Sequence, residues 1–355
     1  PATPPAPVPS LTTDWLPVIR YLDSAVAAGA APGAVLGISH LGERFMHGTG
    51  QLGADEPERP GPTTVYDLAS LTKVVGLMPV VMLAVQSGKL ELDAPVQRYV
   101  PAFVGEGKEA VTVRMLLAHA SGLPAWRPLY REAATRDAAF ALADTTPLVS
   151  PPGTADLYSD LGIIVLTQAL ETVYGQRLDS ILTRLVLSPL GMTSTAYLPP
   201  TSWRERIAPT ELDPWRGRVL RGEVHDENAA VLGGVSGHAG LFSSADDLLT
   251  FAEWMLERME GLREFTRRQD LVAGSSRALG WDTPTTGSSA GTRLSPGSFG
   301  HTGFTGTSLW IDPERRLAIV LLSNRINPTR ENPRWAPVRA QIADLLMATL
   351  LKDAR

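Results

Sequence analysis

Cysteine is absent from the 355 residues, which excludes disulfides, thiolate nucleophiles and thiolate metal sites while leaving the compartment open. An excess of one charge is also lacking. Lys and Arg number 32 against 37 Asp and Glu, a net charge of −5, and no basic cluster suits a nucleic acid or an anionic membrane. Long apolar runs are missing too: the longest, Val74 to Val85, contains Gly76 and Pro79 and falls short of the ~20 residues that span a bilayer, so it reads as a buried helix. No segment recurs at a period of about 20 to 50 residues, which removes solenoids and propellers. What is present, 44% hydrophobic and 19% charged residues, suffices for one large core or two packed lobes. The start, Pro1-Ala2-Thr3-Pro4-Pro5-Ala6-Pro7-Val8-Pro9, reads as an extended Pro-rich tail over 1–10. It suits an exported protein, periplasmic or extracellular, after removal of a signal peptide, and equally a cytoplasmic one.

Three segments carry chemistry. Ser70-Leu71-Thr72-Lys73 places a hydroxyl and an amine three residues apart beside an apolar run. On a helix they share a face, so the amine can activate the hydroxyl as a nucleophile. Tyr158-Ser159-Asp160 lies between the turn Pro151-Pro152-Gly153 and the apolar Leu161–Leu166, as a loop that opens a buried helix, and a tyrosine there can carry protons. Gly300-His301-Thr302-Gly303-Phe304-Thr305-Gly306 precedes two strands that read as a hairpin, and its small residues let a substrate amide approach the backbone of an edge strand.

Along the chain, Trp15 to Ala28 is helical by spacing and ends at Gly29-Ala30-Ala31-Pro32-Gly33, followed by a hairpin from Ala34–His40 and Arg44–Gly48. Signals from Ser70 to about Leu249 are mainly helical. From about Gly280 they return to strands, closed by a helix over Trp335–Leu350. The fold class is therefore α+β: an antiparallel sheet flanked by N- and C-terminal helices, built from 11–72 and 250–355, with a large helical lobe, 73–249, inserted.

The three segments, in this order, resemble the serine β-lactamase and penicillin-binding protein superfamily, most like class C enzymes and family VIII carboxylesterases. Val113–Pro124 also looks like a segment recurrent in these hydrolases. The resemblance covers most of the chain. It implies Ser70 as nucleophile, Lys73 and Tyr158 as proton carriers, and an acyl-enzyme formed on ester or amide bonds. The oxyanion would be held by the N–H groups of Ser70 and of Phe304 or Thr305, with His301, Thr302 and Gly303 supporting the substrate. It implies no cofactor and no metal. The partners it suggests are a small ester, an amide or a peptidoglycan-derived molecule; oligomeric state stays open. Two alternatives remain: a muramyl-peptide amidase of cell-wall turnover, and a penicillin- or peptidoglycan-binding protein with little turnover.

Two departures from the family pattern shape further expectations. His301 stands where β-lactamases have Lys, so the grip on a penicillin carboxylate is weaker and penicillin hydrolysis feeble. Asp160 stands where Asn is usual, which holds Lys73 protonated; two cations facing the phenol, Lys73 and a transiently protonated His301, would then make Tyr158 the acylation base. Other patterns read as structure. Gly48-Thr49-Gly50-Gln51-Leu52-Gly53 is a hairpin exit, because prolines follow where a nucleotide site needs a helix. Ser236 and His238 in Gly234–Gly240, His119 at a helix end, and His225-Asp226-Glu227-Asn228 are read as packing and turn residues, not as a second nucleophile or a metal site.

Overall fold

The computed structural model describes residues 13–353, so the Pro-rich tail expected at 1–10 lies outside the described residues. Both ends of the chain build one five-stranded antiparallel sheet, in the order Glu43–Gly50, Gly33–His40, Leu317–Ser323, Ser308–Asp312, Phe299–Thr302. The first hairpin turns through Leu41 and Gly42, both with positive φ (52° and 88°), the two-residue geometry whose twist matches antiparallel strands.

Alternation along the strands divides two cores. Ala34, Leu36 and Ile38 pack with Val18, Leu22 and Val26 of the helix Leu16–Ala27 and with Val338, Ile342 and Leu346 of the helix Ala336–Asp353. The four-residue spacing of Val18, Leu22 and Val26 gives that helix its single buried stripe. Val35, Val320 and Leu322 face the other way, into the core of the helical lobe. The helix Ala245–Glu257, whose N-cap Ser244 Oγ accepts the Asp247 N–H at 3.3 Å, joins this second core through Leu248, Leu249, Phe251 and Met255. The 249/250 division drawn from the sequence falls inside this helix, and the 72/73 division falls inside the helical stretch Ala69–Gln86.

The apolar run Val74–Val85 belongs to that 18-residue stretch, which has a mean hydropathy of 1.6 and is, by length and composition alone, apolar enough to cross a membrane. Here 78% of it is buried inside the protein, against the helix Asp160–Tyr174 among others. A small sheet, ordered Val65–Asp67, Leu241–Ser244, Ala196–Tyr197, lies within the otherwise helical segment. It positions the residues just before Ser70: the Leu68 N–H donates to Leu241 O at 2.9 Å.

Candidate active site

The backbone before Ser70 is strained. Ala69 has φ 46°, a region that costs a non-glycine residue about 1–3 kcal/mol and that clusters at functional sites. Asp67 holds it there, its carboxylate accepting the N–H of Ala69 at 2.8 Å and of His225 at 2.7 Å. Ser70 then sits in a 3-10 turn, Ala69–Leu71, and Lys73 opens a π turn, Lys73–Leu77, before α-helical geometry begins at Met78. The sequence predicts an ordinary helix here; the tight and wide turns replace it and bring the Lys73 Nζ to 2.9 Å from the Ser70 Oγ.

Lys73 is fully buried and three oxygens surround its Nζ: Ser70 Oγ, the Asp160 carboxylate at 2.7 Å and the carbonyl of His238 at 3.1 Å. An ammonium has three donors and no acceptor, so this is the environment of a cation. Burial alone would push the amine toward neutrality, but Asp160 and Tyr158 reverse this and raise its pKa above the ordinary lysine value.

The tyrosine loop is tied in from several sides. Ser159 caps the helix Asp160–Tyr174, its Oγ accepting the Gly162 N–H at 3.3 Å and donating to Pro124 O at 2.7 Å. The Ser159 N–H donates to His119 Nδ1 at 3.1 Å, and the His119 ring lies 4.5 Å from the Tyr158 ring. His119 thus ends its helix as expected and also seats the tyrosine. The Lys73 Nζ lies 4.9 Å from the center of the Tyr158 ring, and the Arg277 guanidinium 5.4 Å. Burial raises the phenol pKa, against the lowering effect of Lys73; burial also lowers that of His301. Both directions run against the expectation of a transiently protonated His301 and a phenolate-favoring site: burial disfavors the imidazolium, and desolvation of the phenol outweighs Lys73.

The edge strand Phe299–Thr302 forms the other wall. His301 Nδ1–H donates to Thr302 O at 2.7 Å, leaving Nε2 buried and without a partner among the described residues. Thr305 and Thr307 turn inward, donating to Asp67 O at 2.7 Å and Leu68 O at 2.9 Å, so the side chain of Thr305 braces the Ser70 turn and does not reach the cleft. Phe304 is 48% exposed at the rim. Ser70, Tyr158, His301, Thr302, Gly303 and Phe304 line one cleft of about 400 Å³, with Lys73 behind Ser70. Gly303 is packed so closely that a Cβ would overlap Leu68 O and Thr307 Oγ1. Gly303→Ala is therefore expected to part the edge strand from the Ser70 turn, lowering stability by about 1–3 kcal/mol and acyl-enzyme formation with it. Thermal unfolding and labeling by a fluorophosphonate check this; wild-type values for both would count against the packing.

Several contributors were not legible as site residues. Arg277, Arg325 and Arg339 line the same cleft. Arg277 is paired with Asp282, but Arg325 donates only to carbonyls, those of Phe304 (2.9 Å), Asn332 (3.0 Å) and Arg330 (3.2 Å). His238, read as a turn residue, supplies its carbonyl to Lys73, and its ring is held by Ser236 Oγ at 2.7 Å and Asp226 at 2.9 Å. Ser236 is completely buried, which supports its structural reading despite the Ser–His–Asp order. Beyond the cleft, Trp126, Tyr130 and Trp215 form a chain of rings, 6.4 and 4.9 Å between centers, with both tryptophans about half exposed (49% and 47%). Among the described residues no group of three His, Asp or Glu side chains gathers as a metal site.

Comparison with known proteins bears on this arrangement. A family model described as Beta-lactamase matches residues 18–344. An Escherichia coli (strain K12) protein named "Putative D-alanyl-D-alanine carboxypeptidase" is 32% identical over 347 residues, covering 84% of this chain and 78% of that protein. Among solved structures, EstCE1, titled a hydrolase with promiscuous acyltransferase activity, aligns with a TM-score of 0.74 at 21% identity, over 93% of this chain and 97% of that one. A class C beta lactamase from Rhodobacter sphaeroides aligns at 0.73 and 22% identity, over 94% and 99%. At these identities the two structures speak for the fold.

Proposed function

The chain belongs to the beta-lactamase family and is a serine hydrolase of that fold, and from this premise we propose that it cleaves short peptides ending in a free carboxylate, in the manner of a D-alanyl carboxypeptidase, and small esters besides. The observation that carries the substrate class is Arg325, a guanidinium in the wall of the Ser70 cleft whose partners are all backbone carbonyls. The one carboxylate that acts on it among the described residues, Glu211, makes no hydrogen bond to it and is paired with Arg330, so a substrate carboxylate would complete this partly buried cation. This supplies a grip on anions that His301 alone does not.

In the proposed reaction the Ser70 Oγ attacks the carbonyl and Tyr158 takes its proton and passes it to the leaving amine. Water then releases the acyl group from Ser70. The oxyanion is held by the Ser70 N–H and that of Phe304, which has no partner among the described residues. Lys73 stays an ammonium beside both reacting oxygens.

An acyl-D-alanyl-D-alanine peptide should be hydrolyzed at least about tenfold faster (kcat/KM) than its C-terminal amide, the difference a charge-assisted hydrogen bond makes. Equal rates would remove Arg325 from substrate recognition. Penicillins should acylate Ser70 but turn over slowly. Their leaving amine stays tethered to the acyl group through the opened ring, keeping its carboxylate at the site and water from the acyl carbon. A persistent mass increase of one penicillin is expected; kcat/KM near 10⁶ M⁻¹s⁻¹, about the middle of the enzyme range, would reject this.

The rings of Trp126, Tyr130 and Trp215 favor a second reading, a muramyl-peptide amidase. The Ala125 carbonyl accepts the Asp160 N–H at 3.0 Å, so Trp126 adjoins the catalytic cluster, and flat half-exposed rings suit the apolar face of a sugar. Under this reading N-acetylmuramyl-L-alanine is cleaved, and Trp126→Ala lowers that rate more than that of the D-alanyl peptide.

A further inference from the structure

A serine, a histidine and an aspartate that the reaction does not consume come together behind Lys73. Ser236 Oγ lies 2.7 Å from His238 Nδ1, and Asp226 Oδ1 lies 2.9 Å from His238 Nε2. The order is that of a hydrolase triad, but Ser236 and His238 are buried, so no substrate reaches them. Buried polar groups satisfied in this way return about what their desolvation costs, so what they add is a fixed orientation.

The group they orient is a peptide plane. The His238 carbonyl is one of the three acceptors around the Lys73 Nζ, at 3.1 Å, and it stands between Gly237 and Gly240. Packing requires both glycines: a Cβ at Gly237 would overlap Leu77 and Thr167 Oγ1, and Gly240 has φ 116° with Gly234 O where a Cβ would stand. Glycine frees the backbone on either side, so the ring has to supply the hold. Asp226 anchors it firmly. Burial would raise the pKa of this carboxyl, but His238 reverses the effect and holds it below the ordinary carboxylate range. The same oxygen accepts the Ala229 N–H at 2.7 Å, capping the helix Glu227–Val231, and Asn228 of that helix bonds Arg127 O at 2.8 Å and the Tyr130 N–H at 3.1 Å. Past the histidine, the Leu241 N–H donates to Thr72 Oγ1 at 3.1 Å, so the loop is seated against the turn that carries Ser70 and Lys73.

We propose that Asp226, His238 and Ser236 form a positioning clamp for the catalytic lysine: the held ring sets the direction of the His238 carbonyl, and that carbonyl, with Asp160, keeps the ammonium aimed at the Ser70 Oγ. The three side chains touch neither substrate nor reacting atoms and act through Lys73. The clamp rests on the reading of Ser70 as the acylated residue and needs no choice between Tyr158 and Lys73 as base.

Single-turnover acylation by p-nitrophenyl acetate tests it, with thermal unfolding measured beside it. Asp226→Asn keeps the shape, and Asn caps a helix as well as Asp, so the fold should hold while the charge-assisted grip on the ring is lost. The rate at saturating ester should fall about fivefold, the difference between a charged and a neutral hydrogen bond, with the half-saturating concentration unchanged. His238→Ala removes the ring and should cost up to about 10²-fold, the scale of a misplacement of about 1 Å. Asp226→Asn combined with Asp160→Asn separates positioning from packing. Both changes loosen one ammonium, so together they should lower acylation at least about threefold beyond the product of their separate effects, whereas a general loss of packing lets the effects multiply. Wild-type acylation in Asp226→Asn, or effects that simply multiply, overturns the clamp and leaves the nucleophile standing. A wild-type protein whose Ser70 is never acylated overturns the nucleophile and the clamp with it.

Discussion

Ser70→Ala is expected to abolish covalent labeling by a fluorophosphonate and by a fluorescent penicillin, and to lower hydrolysis of p-nitrophenyl acetate by roughly 10⁴-fold or more, the scale on which loss of a serine nucleophile is felt. The same change should barely affect unfolding. The Oγ receives a hydrogen bond from Lys73 and also meets the Tyr158 hydroxyl, and the ammonium keeps Asp160 and His238 O, so the cost stays within about 1–2 kcal/mol. Activity lost with the fold intact is the signature of a chemical role; full turnover in the variant would return Ser70 to a structural one. The strained Ala69 backbone adds a reason to expect this. A non-glycine residue at φ 46° is kept where the fold over-determines it, here through Asp67, Thr305 and Thr307.

How far the sequence speaks depends on the range over which its signals act. The sheet and its flanking helices were legible because period-two and period-3.6 patterns are local: Ala34–His40 and Val18, Leu22, Val26 display their buried faces in the order of their letters. Ser70, Lys73, Tyr158 and the His301-Thr302-Gly303 segment were legible because each is a short motif, and the fold brings them to one cleft. Arg325 and Arg339 were not. An arginine announces a site only when no acid meets it, and whether an acid meets it is a three-dimensional fact. His238 was missed for a related reason, since it contributes a backbone carbonyl, a group every residue has. For His301, read from the sequence as mostly neutral and only transiently protonated, burial in the edge strand lowers the pKa further and works against even that transient charge.

That correction sharpens the assignment of the base. With His301 neutral, the charges acting on the Tyr158 phenol are Lys73 and the paired Arg277 on the cationic side and Asp160 on the anionic side, and burial tips the balance toward a raised pKa. Tyr158 can take the Ser70 proton only as phenolate, a minor form at neutral pH. Acylation should therefore climb with pH by about tenfold per unit and level off only above pH ~10, the ordinary tyrosine value. Asp160→Asn removes a negative charge that raises the phenol pKa, so the whole rise should move to lower pH; a shift the other way would contradict the electrostatics. Tyr158→Phe keeps the ring seated between His119 and Arg277 and removes only the oxygen, and single-turnover acylation should fall by about 10²-fold or more, the scale of general-base catalysis. Lys73, with three oxygens around its Nζ and a pKa raised by Asp160, has no lone pair to offer in its place. Near-wild-type acylation in Tyr158→Phe would mean that the amine is neutral when it matters, and the base would be Lys73 after all.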